Sequence, residues 1–196
     1  MIEPFQMEMA SQNEFGVRVM PRSEQLDSPF NINISAGRRV TLPRGAQYDF
    51  LRYQTYWRTA NRRKVAFEGR YEAGDFYSGT RRELVTNVTF RILPGIFVYT
   101  SGEFNRITLP EASFSTKLYR VVPELQFSPF MTWVNNIQYD TVSGVAGWQS
   151  RFRWIVKPGS DIYIVYTNNW LDDPVLNQFA TQDRRLSTKA LYTYRF

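Results

Sequence analysis

Residues 147–159 read GWQSRFRWIVKPG. Successive side chains of an extended chain alternate between two faces, so Trp148, Ser150, Phe152, Trp154 and Val156 fall on one side and Gln149, Arg151, Arg153 and Lys157 on the other. A helical period of 3.6 would mix the two sets, whereas a period of two separates them. The stretch is therefore a strand of about ten residues, closed by a Lys-Pro-Gly turn. One of its faces is greasy and the other is cationic.

The same reading extends outward in both directions. In 121–127, Val121, Pro123, Leu125 and Phe127 oppose Val122, Glu124 and Gln126. In 64–72, Val65, Phe67, Gly69 and Tyr71 oppose Lys64, Glu68, Arg70 and Glu72, and in 83–92, Leu84, Thr86, Val88, Phe90 and Ile92 oppose Glu83, Asn87, Thr89 and Arg91. At the end of the chain, Leu186, Ala190, Tyr192, Tyr194 and Phe196 share a face against Ser187, Lys189, Thr193 and Arg195. The pattern predicts ten strands, near 14–20, 48–59, 63–73, 80–92, 95–105, 113–127, 130–140, 146–157, 160–170 and 185–196, the first being weak. Domain organisation follows: 1–47 is a segment with one weak strand and a long loop, and 48–196 is a β-meander.

Most of these strands exceed the usual soluble length of five or six residues and match the nine to eleven that cross a hydrocarbon layer when tilted. The connections are expected to alternate, with tight turns at 60–64, 93–95, 128–130 and 157–160 and longer polar loops at 73–80, 105–113, 140–147 and 171–183. Short turns on one side and long loops on the other suit an outer-membrane barrel. "VTLPRGAQYDFLRY" at 40–53 and "ITLPEASFSTKLY" at 107–119 echo one another, each placing Thr-Leu-Pro before an aromatic-bearing strand.

Composition narrows the chemistry. The 196 residues suffice for one sizeable domain, aromatics make up 16%, and the net charge is +6 with a pI near 9.6. Cysteine and histidine are both absent, which removes disulfides, Cys-His and Ser-His dyads and ordinary zinc sites, so neither cofactor nor metal is expected. No run of eighteen apolar residues is present to form a membrane-spanning helix. Residues 1–15, MIEPFQMEMASQNEF, carry neither a basic n-region nor an apolar h-region, so a secreted protein would have to be a mature form or a piece of a longer chain.

Alternation alone fits a soluble, lipocalin-like barrel as well as a membrane barrel. The aromatics favour the membrane: Trp57, Tyr192 and Tyr194 lie near the turn end and Trp148 and Trp170 near the loop end, as two interfacial girdles require. The polar face would then line a lumen with Glu68, Arg70, Glu83, Arg120, Glu124, Arg151, Arg153 and Lys189. Carboxylates such as Glu68, Glu72 and Glu83 are interleaved with arginines, which favours salt-bridged packing over acid-base catalysis. The basic runs at 37–39 and 61–63 sit at turns, so nucleic acid is not an expected partner.

Long stretches of the chain resemble a known family. "GWQSRFRWIVKPGSDIYIVYTNNW" at 147–170, "FSPFMTWVNNIQYD" at 127–140, "LDSPFNI" at 26–32, "YDFLRY" at 48–53, "GDFYSGTRREL" at 74–84, "ITLPEASFST" at 107–116 and the closing "YTYRF" are similar to the C-terminal barrel of a bacterial family catalogued as domain of unknown function 5916. The resemblance implies an antiparallel up-and-down transmembrane β-barrel in the outer membrane of Gram-negative bacteria. This chain would be its C-terminal part, with nine or ten strands of a larger barrel. Longer members carry an N-terminal domain similar to carbohydrate-binding modules of family nine.

The implied function is an anchor or conduit, linked to glycan binding or uptake through that further domain, and not an enzyme. The implied partners are outer-membrane lipid and lipopolysaccharide and the barrel assembly machinery. Tyr192, Tyr194 and Phe196 resemble the C-terminal signal by which that machinery receives a barrel. A soluble ligand-binding barrel and a membrane-embedded carboxylate hydrolase are the alternatives.

Overall fold

The computed structural model describes residues 1–35, 38–173 and 178–194. Within them the chain is all-β, thirteen strands with no helix, and the sheet is antiparallel. The strands are β1 (Ile2–Glu8), β2 (Glu14–Gln25), β3 (Phe30–Ser35), β4 (Arg38–Leu42), β5 (Gln47–Arg58), β6 (Val65–Phe76), β7 (Gly79–Leu93), β8 (Ile96–Thr108), β9 (Ser113–Ser128), β10 (Met131–Asp140), β11 (Val145–Lys157), β12 (Ser160–Asp173) and β13 (Gln178–Leu191).

Eleven of them form one up-and-down sheet in the order β1-β2-β5-β6-β7-β8-β9-β10-β11-β12-β13, while β3 and β4 pair only with each other. Among the described residues no pairing joins β1 to β13. Two compact units share this chain, one holding Met1–Val88, Ser101–Leu118 and Thr141–Ser143, the other Thr89–Thr100, Tyr119–Asp140 and the residues from Gly144 onward.

All ten expected strands are present, but the last stops at Leu191, short of Tyr192 and Tyr194, and the N-terminal segment differs from its expectation. Residues 1–47 hold four strands rather than one weak strand and a loop. β1 escapes a period-two reading because its register shifts between Ile2, opposite Val19, and Phe5, opposite Val17. Pro4 occupies this irregularity, at the edge position where its missing N–H costs nothing. The expected alternation of tight turns and long loops does not hold: β6 and β7 are joined by residues 77–78, β8 and β9 by 109–112 and β10 and β11 by 141–144, whereas β5 and β6, expected to meet in a tight turn, are joined by 59–64. The strands run on through Gly, Asp, Thr and Asn because backbone pairing with a neighbour continues where neither face is apolar.

The first unit has its apolar core at one end. The β3–β4 hairpin contributes Ile32 and Leu42, which cluster with Leu26, Ile107 and Leu109, all buried. Val40, Ala46, Tyr48, Phe76, Tyr77 and Phe114 pack around them. Reciprocal bonds close the base of this excursion: the Leu26 N–H donates to the Ala46 carbonyl at 3.0 Å, and the Gly45 N–H to the Leu26 carbonyl at 2.7 Å. Tyr77 adopts a φ of 50° in the β6–β7 turn, a left-handed conformation uncommon for a bulky residue. Its ring is held by Phe30, Tyr48, Phe50 and Phe76, with centroids 5.3, 5.2, 5.4 and 4.9 Å away.

Candidate functional site

Register fixes which side chains meet. On β2 and β5, Glu14 lies opposite Arg58, Gly16 opposite Tyr56, Arg18 opposite Gln54 and Met20 opposite Arg52. On β5 and β6, Arg52, Gln54, Tyr56 and Arg58 lie opposite Gly74, Glu72, Arg70 and Glu68. One face of the first unit thus carries charges and amides across consecutive strands. The other face carries Phe15, Val17, Val19, Leu51, Tyr53, Trp57 and Tyr71.

The charged face is extensively bonded. Arg52 donates to Glu72 at 3.2 Å, and Gln54 donates to the second oxygen of the same carboxylate at 3.2 Å. Arg18 donates to Glu3 at 3.0 Å and to Gln54 at 3.4 Å, and its guanidinium lies over the Tyr56 ring, 4.1 Å from the centroid. The Tyr56 hydroxyl donates to Glu3 at 2.6 Å. Glu14 pairs with Arg58.

Further along, Glu83 accepts from Arg70 at 3.2 Å and pairs with Arg81. Arg81 also donates to Asn105 at 2.9 Å, and Asn105 donates to Glu103 at 2.9 Å. Gln54 and Glu83 are buried, and burying such groups is tolerable only because each is bonded. A groove of about 260 Å³ opens on this face, lined among others by Glu14, Arg18, Gln54, Tyr56, Arg58 and Glu68.

The second unit repeats the plan. On β10, β11 and β12, Trp133, Phe152 and Ile164 line up across the strands, as do Met131, Trp154 and Ile162. Thr132, Arg153 and Tyr163, and Val134, Arg151 and Val165, line up on the opposite face. There Arg153 donates to Asp161 at 2.7 Å, and the Tyr163 hydroxyl donates to the same oxygen at 3.2 Å. The apolar face carries a few polar side chains, and two of them are bonded by indoles. Trp133 donates to the Ser150 hydroxyl at 2.7 Å and Trp148 to the Asn135 amide oxygen at 3.1 Å.

The residues expected to line the polar face divide between the units. Arg70 and Glu83 join the bonded network of the first unit, while Glu68 lies across from Arg58 and is exposed. In the second unit, Arg153 pairs with Asp161, Arg120 donates to Asn136 at 2.6 Å and Glu124 accepts from Gln126 at 2.6 Å. Arg151 lies opposite Val165, and Lys189 opposite Tyr163. Sequence reasoning missed Glu3, Arg18, Gln54, Asn105 and Asp161. The signal for Arg18 and Gln54 was their alternation, and for Glu3 it was concealed by the irregularity at Pro4.

Of the expected girdle, Trp57 lies flat over Gly69, where a Cβ would come within 2.4 Å of the indole, and stacks on Phe67 with centroids 6.1 Å apart. Trp148 packs edge-on against Tyr166 at 5.4 Å. Trp170 lies between Ala146 and Thr181. Tyr192 follows β13 and accepts a hydrogen bond from the Lys157 ammonium at 3.0 Å, with that ammonium 4.1 Å from the ring centroid. Tyr194 is exposed, and Phe196 lies outside the described residues. Trp133 and Trp154 also lie near the turn ends of their strands. No family model, no curated protein and no solved structure matches this chain.

Proposed function

We propose that this chain is part of an outer-membrane β-barrel, serving as a membrane anchor or conduit, with its apolar face toward lipid and its charged face toward a lumen. The observation that carries the reading is the segregation of faces in the β10–β11–β12 register. Trp133, Phe152, Trp154 and Ile164 share one face, and Trp133, Trp154 and Ile164 are exposed there, while Arg151, Arg153 and Tyr163 share the other. A contiguous exposed patch of large aromatics is uncommon on a protein surrounded by water and marks a surface that meets another apolar phase, which a bilayer supplies. The indole bonds to Ser150 and Asn135 support the same reading, since a polar group facing hydrocarbon needs an internal partner.

The strand lengths fit as well: β7 through β13 have ten to sixteen residues each, against the nine to eleven that cross the hydrocarbon. The resemblance to the domain of unknown function 5916 family adds the expectation of a linked glycan-binding domain. Acid-base catalysis is disfavoured because Glu72 and Glu83 are each held by arginines.

The test is depth-dependent quenching by lipid-borne quenchers. A single Trp is placed at 152 or at 153 in a background lacking the five native Trp residues, and the chain is reconstituted in vesicles. Strong quenching at 152 with little at 153 is expected. Negligible quenching at both positions would overturn the reading.

A further inference from the structure

Charge is distributed unevenly along the outward, apolar face of β7, β8 and β9. On β7 the outward positions Leu84, Thr86, Val88, Phe90 and Ile92 are uncharged, and the one preceding them is Arg82. On β8, Ile96, Val98, Thr100, Gly102 and Phe104 are uncharged, and the next outward position is Arg106. On β9, Tyr119, Val121, Pro123, Leu125 and Phe127 are uncharged, and the position before them is Lys117. Three neighbouring strands thus each place a cation at the same end, the end of the 77–78 and 109–112 connections.

These side chains converge on one shallow pocket of about 240 Å³, with Tyr71, Leu84 and Phe104 as its apolar wall. All three cations are exposed. Among the described residues none of their side chains enters a hydrogen bond or ion pair. The arginines of the opposite face behave differently, since Arg52, Arg70 and Arg81 are each taken up by a carboxylate.

We propose that Arg82, Arg106 and Lys117 bind the phosphate of a membrane lipid head group, with the start of its acyl chains lying against Tyr71, Leu84 and Phe104. The inference rests on the membrane reading above. Charge complementarity identifies the ligand: guanidinium and ammonium groups at the border of an apolar surface match a phosphorylated amphiphile, whose anion and chains would meet both parts of the pocket. A free phosphate would use only the cations and leave the wall of Tyr71, Leu84 and Phe104 unused.

The experiment reconstitutes the full chain in phosphatidylcholine nanodiscs, adds a phosphorylated glycolipid of the lipid A type and measures retention by native mass spectrometry. Each neutralised cation should weaken binding about five-fold, and the Arg82→Gln, Arg106→Gln, Lys117→Gln variant on the order of a hundred-fold. A control carrying Arg44→Gln, Arg62→Gln and Lys64→Gln should bind as wild type does. The single variant Arg106→Gln, expected at about a five-fold loss, carries the test should the triple variant not fold.

Wild-type retention by a folded neutralised variant would overturn the proposal. So would full competition by inorganic phosphate, which would mark a free-anion site. Running the 152 and 153 Trp reporters in the same nanodiscs separates the two claims. Quenching at 152 with unchanged lipid retention refutes the head-group site alone, while absence of quenching refutes the membrane reading and this proposal with it.

Discussion

Arg52 of β5 and Glu72 of β6 are joined at 3.2 Å, and both side chains are largely withdrawn from solvent. The bond is diagonal, because register places Arg52 opposite Gly74 and Glu72 opposite Gln54. The β5 backbone packs close against Gly74, and the Arg52 guanidinium reaches along the strands to the carboxylate and donates to the Asp75 carbonyl oxygen, 2.8 Å away. Neighbouring ion pairs form a chain of this kind along the charged face of the first unit.

Breaking that chain where it is buried should cost far more than breaking it at its rim. Glu83 holds both Arg70 and Arg81 and is itself buried, so Glu83→Ala would leave two guanidiniums without their carboxylate. A loss of about 2 kcal/mol is expected, since Arg70 is exposed and Arg81 keeps its bond to Asn105. Glu68 is exposed, and Glu68→Ala should stay within about 0.5 kcal/mol. Urea unfolding in detergent micelles, followed by intrinsic fluorescence, measures both.

Gly74 also carries a backbone requirement. Its φ is 148°, and a Cβ would come within 2.2 Å of the Leu51 carbonyl oxygen and 2.8 Å of the Arg52 Cα. Gly74→Ala must therefore displace β5 and should destabilise by about 3 kcal/mol. Gly45 has a φ of 81° with nothing within 4 Å of its would-be Cβ, so Gly45→Ala should cost only about 1 kcal/mol. The same unfolding measurement compares them.

The fold was legible wherever one face of a strand is apolar. Alternation assigns Phe152 and Arg153 to opposite faces, and the β11–β12 register sets Ile164 beside Phe152 and Tyr163 beside Arg153. Legibility failed where the period breaks or the apolar face ends. β13 begins at Gln178 rather than near 185: Phe179 and Ala180 are adjacent, on opposite faces, and 181–185 hold no apolar residue, so no alternation marks its start. Its register also shifts where Asn169 pairs with Asp183 but Trp170 with Thr181, leaving Gln182 outside the ladder. The β3–β4 hairpin was hidden in a stretch read as loop, because Ile32, Val40 and Leu42 are too few to stand out before their partners Ile107 and Leu109 are known. The cations Arg82, Arg106 and Lys117 are far apart in sequence, and only strand order brings them together.

The aromatic cluster under the hairpin should respond to alkaline pH. Burial pushes the Tyr77 phenol above its ordinary value, aided by the nearby Glu24 carboxylate and opposed by Arg52. A group whose folded value is raised holds its proton more tightly in the native state. Its contribution is therefore fully present below the unfolded value of about 10 and is lost as pH rises through the higher folded value. Stability of the hairpin should stay flat with respect to this group up to about pH 10 and decline above it. Absorbance titration at 295 nm of wild type and Tyr77→Phe checks this: the difference curve should contain one step displaced to high pH, and a step at the ordinary tyrosine value would contradict it.

The last prediction separates lipid from water at a single pair of adjacent residues. Ile164 lies opposite Phe152 and Thr188 and is 41% exposed, while Val165 lies opposite Arg151 and Ser187 on the other face. If the face of Ile164 meets hydrocarbon, Ile164→Arg should destabilise the folded protein in vesicles by about 2–4 kcal/mol near mid-membrane. If that face meets water, the same change at a 41% exposed position should cost no more than about 0.5 kcal/mol. Val165→Glu is the matched control, because a carboxylate there stands directly across from the Arg151 guanidinium, and a cross-strand pair of opposite charges contributes about 0.2–1 kcal/mol in favour. Equilibrium urea unfolding from vesicles, with far-ultraviolet circular dichroism as the readout, measures both substitutions on one scale. A large loss for Ile164→Arg beside an unchanged or raised stability for Val165→Glu is the expected pair of results. Near-equal small effects would place the aromatic face in water and leave the charged face without a lumen to line.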